Sequence, residues 1–542
     1  MHIGDEAMTQ ALVDELADRD IEVSALISGS PRETSARYGL RSIARLGFTS
    51  AMNLEAREAR RAVVISAAHS GRIPPSADPA AQILAAIANA DGLVVAGGGN
   101  LSAMWHEHVY DRSALVAIAS AKGKPVVVSG QTLGPALNAR DGQLLAELLG
   151  SASLVGVRER DSLDIAHQLG LPDRMLRSTP DDAIWLAEAP LEHDLPPEYC
   201  VVTVAPVAGL VDFDLYATSF ARLLDEAADV SGLDIVFVPH QGSVSRSDDG
   251  DQAAHHAIAR RMTTKRVHSL PMLTPRQVAF VTRRASLSIS SRYHPIVFSA
   301  SAGVPTVGIS VDEYTAVKIG GALDHFGLSE FALPSSALES GHAAQALASA
   351  WRDRDPLRAS ALQVAPRVRR QSALWWDEVA SVLRGDGVFS TAEFERPTPA
   401  ALLPPDLAQT IDRMRTWQRS EATSVTAREL AWQSMESSST ERDAAVELER
   451  RLGDSEAALS DTRQQLRYAY VALDAARELA AKIGEPIFQK KLGDHRIPAP
   501  QSEIDALLNT RTFRWSAPAR RVYGRMRRYA VRARNRYRRS RS

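Results

Sequence analysis

A short segment in the middle of the chain carries side chains that could bind an anion and move a proton. Residues 287–308 read as two short buried strands with a small-residue helix between them. Arg292 and His294 stand where the first strand ends, and Pro295 suits the first turn of the helix. In open α/β sheets such a strand end binds ligands, and the N–H groups and dipole of the following helix favour an anion. Because arginine grips carboxylate or phosphate and histidine transfers protons, the segment predicts a binding and catalytic site.

Three other polar residues follow predicted strands in the same way. Arg158 comes directly after the apolar run 154–157 and could be a second clamp for an anion. Asp181 follows residues 175–178 and could orient a catalytic group or an acceptor. His240 also ends a strand and is a weaker candidate for substrate contact. On the residues alone, an arginine paired with an acid and an aspartate in a turn explain Arg158 and Asp181 equally well.

A run of glycines ends another strand and adds a possible anion site. Gly97, Gly98 and Gly99 lead into Asn100 and a predicted helix, so backbone could approach a ligand closely there. A tight strand-to-helix turn explains the same run. Its spacing is not that of a dinucleotide-binding loop, so we predict no NAD. Near the N-terminus, Asp5 could be a general acid, or simply an acid in the first turn of a helix.

The sequence predicts no metal site and no cofactor. His106 and His108 are two residues apart on a predicted helix, so they point to different sides and chelate poorly; a solvated surface is the better interpretation. The single cysteine, Cys200, excludes an internal disulfide framework. Apolar residues at 45% and charged residues at 24% are ordinary for a globular protein, and no run suggests a membrane span or a signal peptide. We therefore expect a cytoplasmic protein.

Strands and helices alternate twice along the first three quarters of the chain. Residues 1–190 and 198–390 each read as a Rossmann-like α/β domain, with a cleft between the two. Residues 62–65 are assigned to one of the strands of the first domain. A helix that opens at residue 5 lacks the strand that should precede it, so we expect the sequence to start downstream of its true start, or to be trimmed.

The composition changes beyond residue 404. Leucines spaced by seven within residues 404–483 predict a long helix or coiled coil, which could form a homodimer through residues 445–483. Residues 484–542 read as a linker and an amphipathic tail with thirteen arginines and no acid after residue 510. The tail suits a peripheral contact with the inner face of a membrane; nucleic-acid binding is less favoured, and a solvated tail is the third interpretation.

Four spaced segments together resemble the polysaccharide pyruvyl transferase family. The resemblance covers about residues 1–330, and its motifs are residues 4–7; residues 97–101; residues 130–135 with 157, 158 and 162; and residues 291–294 with 303–305. It implies a fold similar to two-domain glycosyltransferases of the GT-B type. It also implies transfer of the enolpyruvyl carbons of phosphoenolpyruvate to two hydroxyls of a sugar, giving a cyclic pyruvate ketal and phosphate.

The resemblance assigns roles to particular residues. Arg292 and His294 match the family's arginine–any–histidine site, Arg158 its strand-end arginine, and Asp181 the aspartate that follows. Phosphoenolpyruvate would then meet two guanidinium groups, and His294 would either protonate the enol carbon or deprotonate the sugar hydroxyl. The implied partners are phosphoenolpyruvate and a sugar or lipid-linked saccharide.

Two features depart from the family pattern and keep alternatives open. The strand ahead of residue 4 is missing, and Ala205-Pro206 replaces a more polar strand end. A nucleotide-sugar glycosyltransferase of the same fold is the second hypothesis. The third is a catalytically silent relative that acts as a membrane-associated interaction protein through its C-terminal third.

Overall fold

The computed structural model describes residues 2–71, 74–207, 212–243, 249–387, 397 and 402–436, with side chains as far as residue 420. Thirteen strands are present in this part of the chain: β1 Leu26–Ser28, β2 Ser42–Ala44, β3 Leu93–Val95, β4 Gly98–Leu101, β5 Val126–Leu133, β6 Leu154–Val157, β7 Leu176–Ser178, β8 Tyr199–Thr203, β9 Asp234–Phe237, β10 Val267–Ser269, β11 Leu287–Ser290, β12 Thr306–Ser310 and β13 Ala332–Pro334.

Sixteen α-helices connect or follow these strands in the same described ranges. They are α1 Ile3–Ala17, α2 Pro31–Tyr38, α3 Leu54–Ser70, α4 Pro79–Asn89, α5 His106–Ala121, α6 Ala139–Gly150, α7 Arg160–Gln168, α8 Phe213–Ser231, α9 Gly250–Ala259, α10 Pro275–Arg283, α11 Tyr293–Ser301, α12 Glu313–Asp324, α13 Ser335–Glu339, α14 His342–Arg352, α15 Arg354–Arg384 and α16 Pro405–Glu436. None of the described helices is both long enough and apolar enough to cross a membrane.

Two parallel sheets form the frame of the molecule. The first has the order β3-β5-β6-β7, with β4 also paired to β5, while β1 and β2 pair only with each other. The second sheet has the order β10-β9-β8-β11-β12-β13. That order is the doubly wound one, in which the first strand lies at the centre and the ligand crevice lies at the carboxyl ends of the strands.

Two helices tie the sheets together. The start of α1 packs through Ile3 and Met8 into the core of the second sheet. Farther along the same helix, Leu12 and Leu16 join a cluster on the first sheet. The long helix α15 returns to that cluster through Trp375, whose indole N–H donates to the Ser129 hydroxyl over 3.0 Å. The carboxyl ends of β6, β7 and β11 are thereby held near the start of α1.

The structure corrects one predicted strand and leaves the C-terminal predictions outside its range. Residues 62–65 lie within α3, because alanines and arginines of high helical propensity surround this short apolar run. The predicted helix beyond residue 404 is present as α16 up to Glu436. The proposed coiled coil at residues 445–483 and the basic tail at residues 511–542 lie outside the described residues.

Candidate active site

Arg158, Asp181 and His294 form a continuous contact at the ends of three strands. Arg158 follows β6 and Asp181 follows β7, and their side chains are only 1% and 2% exposed. The Arg158 Nη1 group donates to Asp181 Oδ2 over 2.5 Å. His294 Nε2 lies 3.6 Å from the other oxygen, Asp181 Oδ1. The aspartate therefore connects the predicted anion clamp of the first sheet to the predicted catalytic histidine of the second.

Asp181 keeps its negative charge in this position. Burial on its own would raise the pKa of the carboxyl, but His294 and then Arg158 outweigh it and hold the pKa below its usual range. A charged carboxylate 3.6 Å from His294 Nε2 can orient the imidazole ring. The pair is thus suited to proton transfer by His294.

The start of α1 fixes the imidazole of His294. A Cβ atom placed on Gly4 would lie 2.3 Å from His294 Nδ1, so only glycine leaves room for the ring at that position. The chain is held there because the Ile3 N–H donates to the His240 carbonyl over 2.8 Å. The His294 Nε2 atom forms no hydrogen bond among the described residues, and it faces Asp181 Oδ1 across 3.6 Å.

We expect Gly4→Ala to lower kcat by about 10²-fold, because displacing a catalytic group by roughly 1 Å costs about that much. Steady-state kinetics with saturating substrates would measure it. Gly142→Ala is the matched control, since a Cβ on Gly142, within α6, meets no atom within 4 Å. Equal kcat values for the two variants would contradict the role of Gly4 in leaving space for the His294 ring.

Arg292 is held in place by an acid that the sequence analysis missed. Its Nη2 group donates to Asp251 Oδ1 over 2.5 Å and to Gln241 Oε1 over 2.6 Å. Asp251, at the start of α9, is completely buried, whereas the Arg292 side chain is 19% exposed. Asp251 also accepts the backbone N–H of His240 over 2.9 Å, so it fixes the end of β9 as well. The Arg292 guanidinium is therefore held in position by Asp251 and Gln241 while part of the side chain stays exposed to solvent.

His240 lies beside these residues as a neutral imidazole. Burial and then the charges of His294 and Arg292 hold its pKa well below the ordinary value. Its Nε2 atom is buried and has no hydrogen-bond partner in the described part of the chain. The predicted strand-end position is thus correct, and His240 can accept a hydrogen bond from a ligand.

A lysine and two tyrosines complete the cluster, and the sequence analysis named none of them as functional. Lys318 of α12 lies 3.1 Å from the Tyr314 hydroxyl and 5.2 Å from the centre of the Tyr293 ring. The Arg158 guanidinium lies over the other part of the site, 4.4 Å from the same ring centre. Burial, and then the charge of Arg158, lower the pKa of Lys318 to about 8. The position of α12 beside the site is visible only in the folded structure, so the sequence alone did not indicate Lys318.

The glycine run has a different role from the predicted one. Gly98 belongs to β4, and the next α-helix begins only at His106, so no α-helix N-terminus faces a ligand at the glycines. A Cβ on Gly99 would lie 2.3 Å from the Tyr314 hydroxyl, and a Cβ on Gly97 would lie 2.6 Å from Asp182 Oδ2. Because glycine has no side chain, Tyr314 and Asp182 can occupy the space beside Gly99 and Gly97. Asn100 lines the adjoining cleft, and its buried Oδ1 has no described partner.

Asp182 is a second buried acid beside Asp181. It accepts the Gly97 N–H over 3.0 Å and the Ser129 hydroxyl over 2.7 Å. Burial, and then the neighbouring Asp181 charge, raise the pKa of Asp182 to about 7. Two adjacent acids after a strand were the available sequence signal, although the sequence does not show which of them contacts Arg158 and His294.

Asp5, His106 and His108 each make a contact with a single polar side chain. Asp5 is exposed at the mouth of the site, with Oδ2 3.6 Å from His2 Nδ1. His106 Nδ1 lies 2.5 Å from Asp141 Oδ2, and His108 Nδ1 lies 3.2 Å from Arg45 Nη1. The interpretation of His106 and His108 as solvated surface residues is wrong, because each is partly buried and hydrogen-bonded to a charged side chain.

Two parallel α/β units, of which the second has the doubly wound strand order, meet with their strand ends at a polar site and define a GT-B-like protein. The sequence profile described as Polysaccharide pyruvyl transferase matches residues 2–313. The chain belongs to that family.

Comparison with solved structures finds similar chains. A putative UDP-N-acetylglucosamine 2-epimerase from Listeria monocytogenes is 11% identical, covering 73% of this chain and 96% of that one, with a TM-score of 0.49. Acinetobacter baumannii MurG is 14% identical, covering 70% and 96% respectively, with a TM-score of 0.40. Comparison with curated proteins finds no significant match.

Proposed function

We propose that this transferase moves the enolpyruvyl group of phosphoenolpyruvate onto two hydroxyls of one sugar in a cell-surface polysaccharide or its lipid-linked precursor. The products are a cyclic pyruvate ketal and inorganic phosphate. The observation that carries the proposal is the convergence of cationic side chains around His294 at the ends of strands from both sheets.

Asp181, Glu159 and Asp251 offset part of this positive charge, and the cations still repel one another in the absence of an anionic ligand. Burial lowers the pKa of Lys318, and Arg158 and Arg292 lower it further. Burial also lowers the pKa of His240, and His294 and Arg292 lower it further. A ligand with a phosphate and a carboxylate would relieve that repulsion, because each anionic group offsets neighbouring positive charge in a buried setting. The repulsion supports a small polyanionic substrate such as phosphoenolpyruvate.

The proposed reaction uses His294 twice. The imidazole, oriented by Asp181, delivers a proton to the methylene carbon of the enol, and the first sugar hydroxyl adds to the neighbouring carbon. His294 then regains a proton from that hydroxyl. The second hydroxyl attacks the same carbon, and the carbon–oxygen bond to phosphate breaks. The proton of this second hydroxyl passes to the departing phosphate or to solvent. Arg158, Lys318 and Arg292 stabilise the anionic groups throughout.

Product analysis tests the proposal directly. Purified protein is expected to release phosphate from phosphoenolpyruvate only when a sugar acceptor with two suitably placed hydroxyls is present, and phosphoenolpyruvate alone should raise Tm. Nucleoside diphosphate release from a nucleotide sugar would instead support the glycosyltransferase hypothesis. Absence of both activities, together with no shift in Tm, would support the silent relative.

The pH dependence of substrate binding is expected to follow Lys318. Its pKa of about 8 means that the ammonium is charged below that pH and loses its proton above it. The KM for phosphoenolpyruvate should therefore rise by up to about tenfold per pH unit above 8. Lys318→Arg is the matched control, because a guanidinium stays charged and should keep KM flat from about pH 7 to 10. Identical pH profiles for the two proteins would contradict this role.

For the C-terminal third we propose a peripheral membrane contact through residues 511–542 and a homodimer through residues 445–483. The arginine-rich composition of the tail supports the first proposal, and the seven-residue leucine spacing supports the second. Such a contact would place the enzyme at the inner face of the membrane, beside a lipid-linked acceptor. Deleting residues 511–542 should abolish co-sedimentation with anionic liposomes, and unchanged co-sedimentation would contradict the first proposal.

A further inference from the structure

Two arginines of the first half face the cleft beside the site without a carboxylate partner. Arg45 directly follows β2, Arg112 lies on α5, and both line the cleft that Asn100 also lines. The Arg45 Nη1 atom lies 3.2 Å from His108 Nδ1, and Arg112 Nη1 donates to the His108 carbonyl over 3.4 Å. In the described part of the chain, neither guanidinium forms an ion pair with a carboxylate. Two cationic groups therefore meet at one residue, at the edge of the sheet where ligands bind.

Other arginines of the same half are paired with acids. The pairs are Arg37 with Glu6, Arg60 with Asp78, Arg61 with Glu147, and Arg140 with Glu58. A guanidinium offers a fixed fork of donors that matches a carboxylate or a phosphate group. Two neighbouring arginines that line a cleft without an acid are therefore arranged to bind an anionic ligand.

The charges around these two arginines leave an excess of positive charge. Burial lowers the pKa of Arg112 to about 10; Asp111 offsets part of this effect, and Arg45 adds to it. Asp111 is itself buried, which raises the pKa of its carboxyl, and its Oδ1 accepts the Leu46 N–H over 3.0 Å. Burial, and then the charges of Arg112 and Arg45, lower the pKa of His108 to about 3, so this imidazole is neutral. An anion beside the two arginines would relieve their repulsion.

Asn100 lies between this pair and the cluster around His294. The residue before it, Gly99, is so close to that cluster that a Cβ there would lie 2.3 Å from the Tyr314 hydroxyl and 3.3 Å from Arg158 Nη2. The buried Oδ1 atom of Asn100 has no hydrogen-bond partner among the described residues. A buried amide oxygen needs a donor, and a sugar hydroxyl supplies one.

We infer that Arg45 and Arg112 form a second anion subsite, which binds the diphosphate of a sugar diphosphate, and that Asn100 accepts a hydroxyl of the attached sugar. A diphosphate suits the subsite because each of the two guanidinium groups can bind one phosphate. The sugar then extends past Gly99 toward His294. The role of this sugar as the acceptor rests on the proposed function, whereas diphosphate binding by the two arginines does not.

Titration calorimetry of the full chain with inorganic pyrophosphate tests the subsite without any turnover. The double variant Arg45→Gln, Arg112→Gln should bind one fewer pyrophosphate per chain over the concentration range that saturates the wild type. The matched control is Arg32→Gln, Arg41→Gln, which removes the same charge from two exposed arginines of the same half and should bind as the wild type does. If the double variant does not fold, Arg45→Gln alone should raise the Kd of that site at least about tenfold.

Two further ligands distinguish the possible sources of the diphosphate. Tighter binding of geranyl diphosphate than of pyrophosphate would identify a lipid-linked sugar. Tighter binding of uridine diphosphate would identify a nucleotide-linked one, and either result upholds the subsite provided that the double variant loses it.

Equal pyrophosphate binding by the double variant and its control would overturn the inference, because the anion would then be held elsewhere, for example at the cluster around His294. Turnover of phosphoenolpyruvate is measured separately. A pyrophosphate site that depends on Arg45 and Arg112, in a protein without phosphoenolpyruvate chemistry, would uphold the subsite and count only against the proposed function.

Discussion

Replacing His294 with alanine is expected to lower kcat by about 10²- to 10⁴-fold, the range that a positioned acid–base group contributes. The KM for phosphoenolpyruvate and the shift in Tm that it produces should change little, because Arg158, Lys318 and Arg292 remain. The loss of kcat follows because the variant removes the only imidazole in the described residues that contacts Asp181. Single-turnover kinetics with an excess of enzyme would separate this chemical step from binding.

The control for this variant is His268→Ala. His268 is an exposed histidine of β10 whose Nε2 lies 2.8 Å from Asp234, at the edge of the second sheet. Its loss should leave kcat unchanged. Turnover of the His294→Ala protein close to that of this control would refute the assignment of His294. The kcat of Asp181→Asn should fall between the two, because this variant keeps the imidazole but removes the negative charge that faces it.

The strand-end residues could be predicted because their signal is local. An apolar run that stops at a polar residue indicates the end of a strand. Because the carboxyl ends of parallel strands lie at one edge of a sheet, residues that follow such runs are expected to lie close together. Arg158, Asp181, His240, Arg292 and His294 follow β6, β7, β9 and β11 in this way, and the structure brings them together.

The partners of those residues could not be predicted in the same way. Asp251 and Lys318 lie on helices, α9 and α12, whose sequences give no sign of which turn faces the site. Residues 62–65 show the converse error, because periodicity cannot separate a four-residue strand from one turn of a buried helix. The glycine run failed for a third reason: the absence of a side chain does not indicate whether a ligand or a protein group occupies the space.

Arg158→Met is expected to be the most damaging single change for stability. Arg158 lies between Asp181 and Glu159, with Nε 3.0 Å from Glu159 Oε1 and a further bond to Thr132. Methionine fills much of the volume but leaves two buried carboxyl groups without their cation. Breaking a buried pair in this way costs about 3–5 kcal/mol of the free energy of unfolding. Urea unfolding at neutral pH would measure the loss, and Arg352→Met, in an exposed ion pair with Asp353, should leave stability unchanged.

The double variant Arg158→Met, Asp181→Asn separates the structural role of the arginine from its binding role. Removing the carboxylate as well relieves one of the two unpaired charges, so part of the lost stability should return. Binding of phosphoenolpyruvate should not return, because the guanidinium that would meet its anionic groups is still absent. If binding recovered together with stability, Arg158 would act only as the partner of Asp181, and the anion would have to be held by Lys318 and Arg292. If neither recovered, Glu159 would be the acid that depends on Arg158, since burial already raises the pKa of its carboxyl.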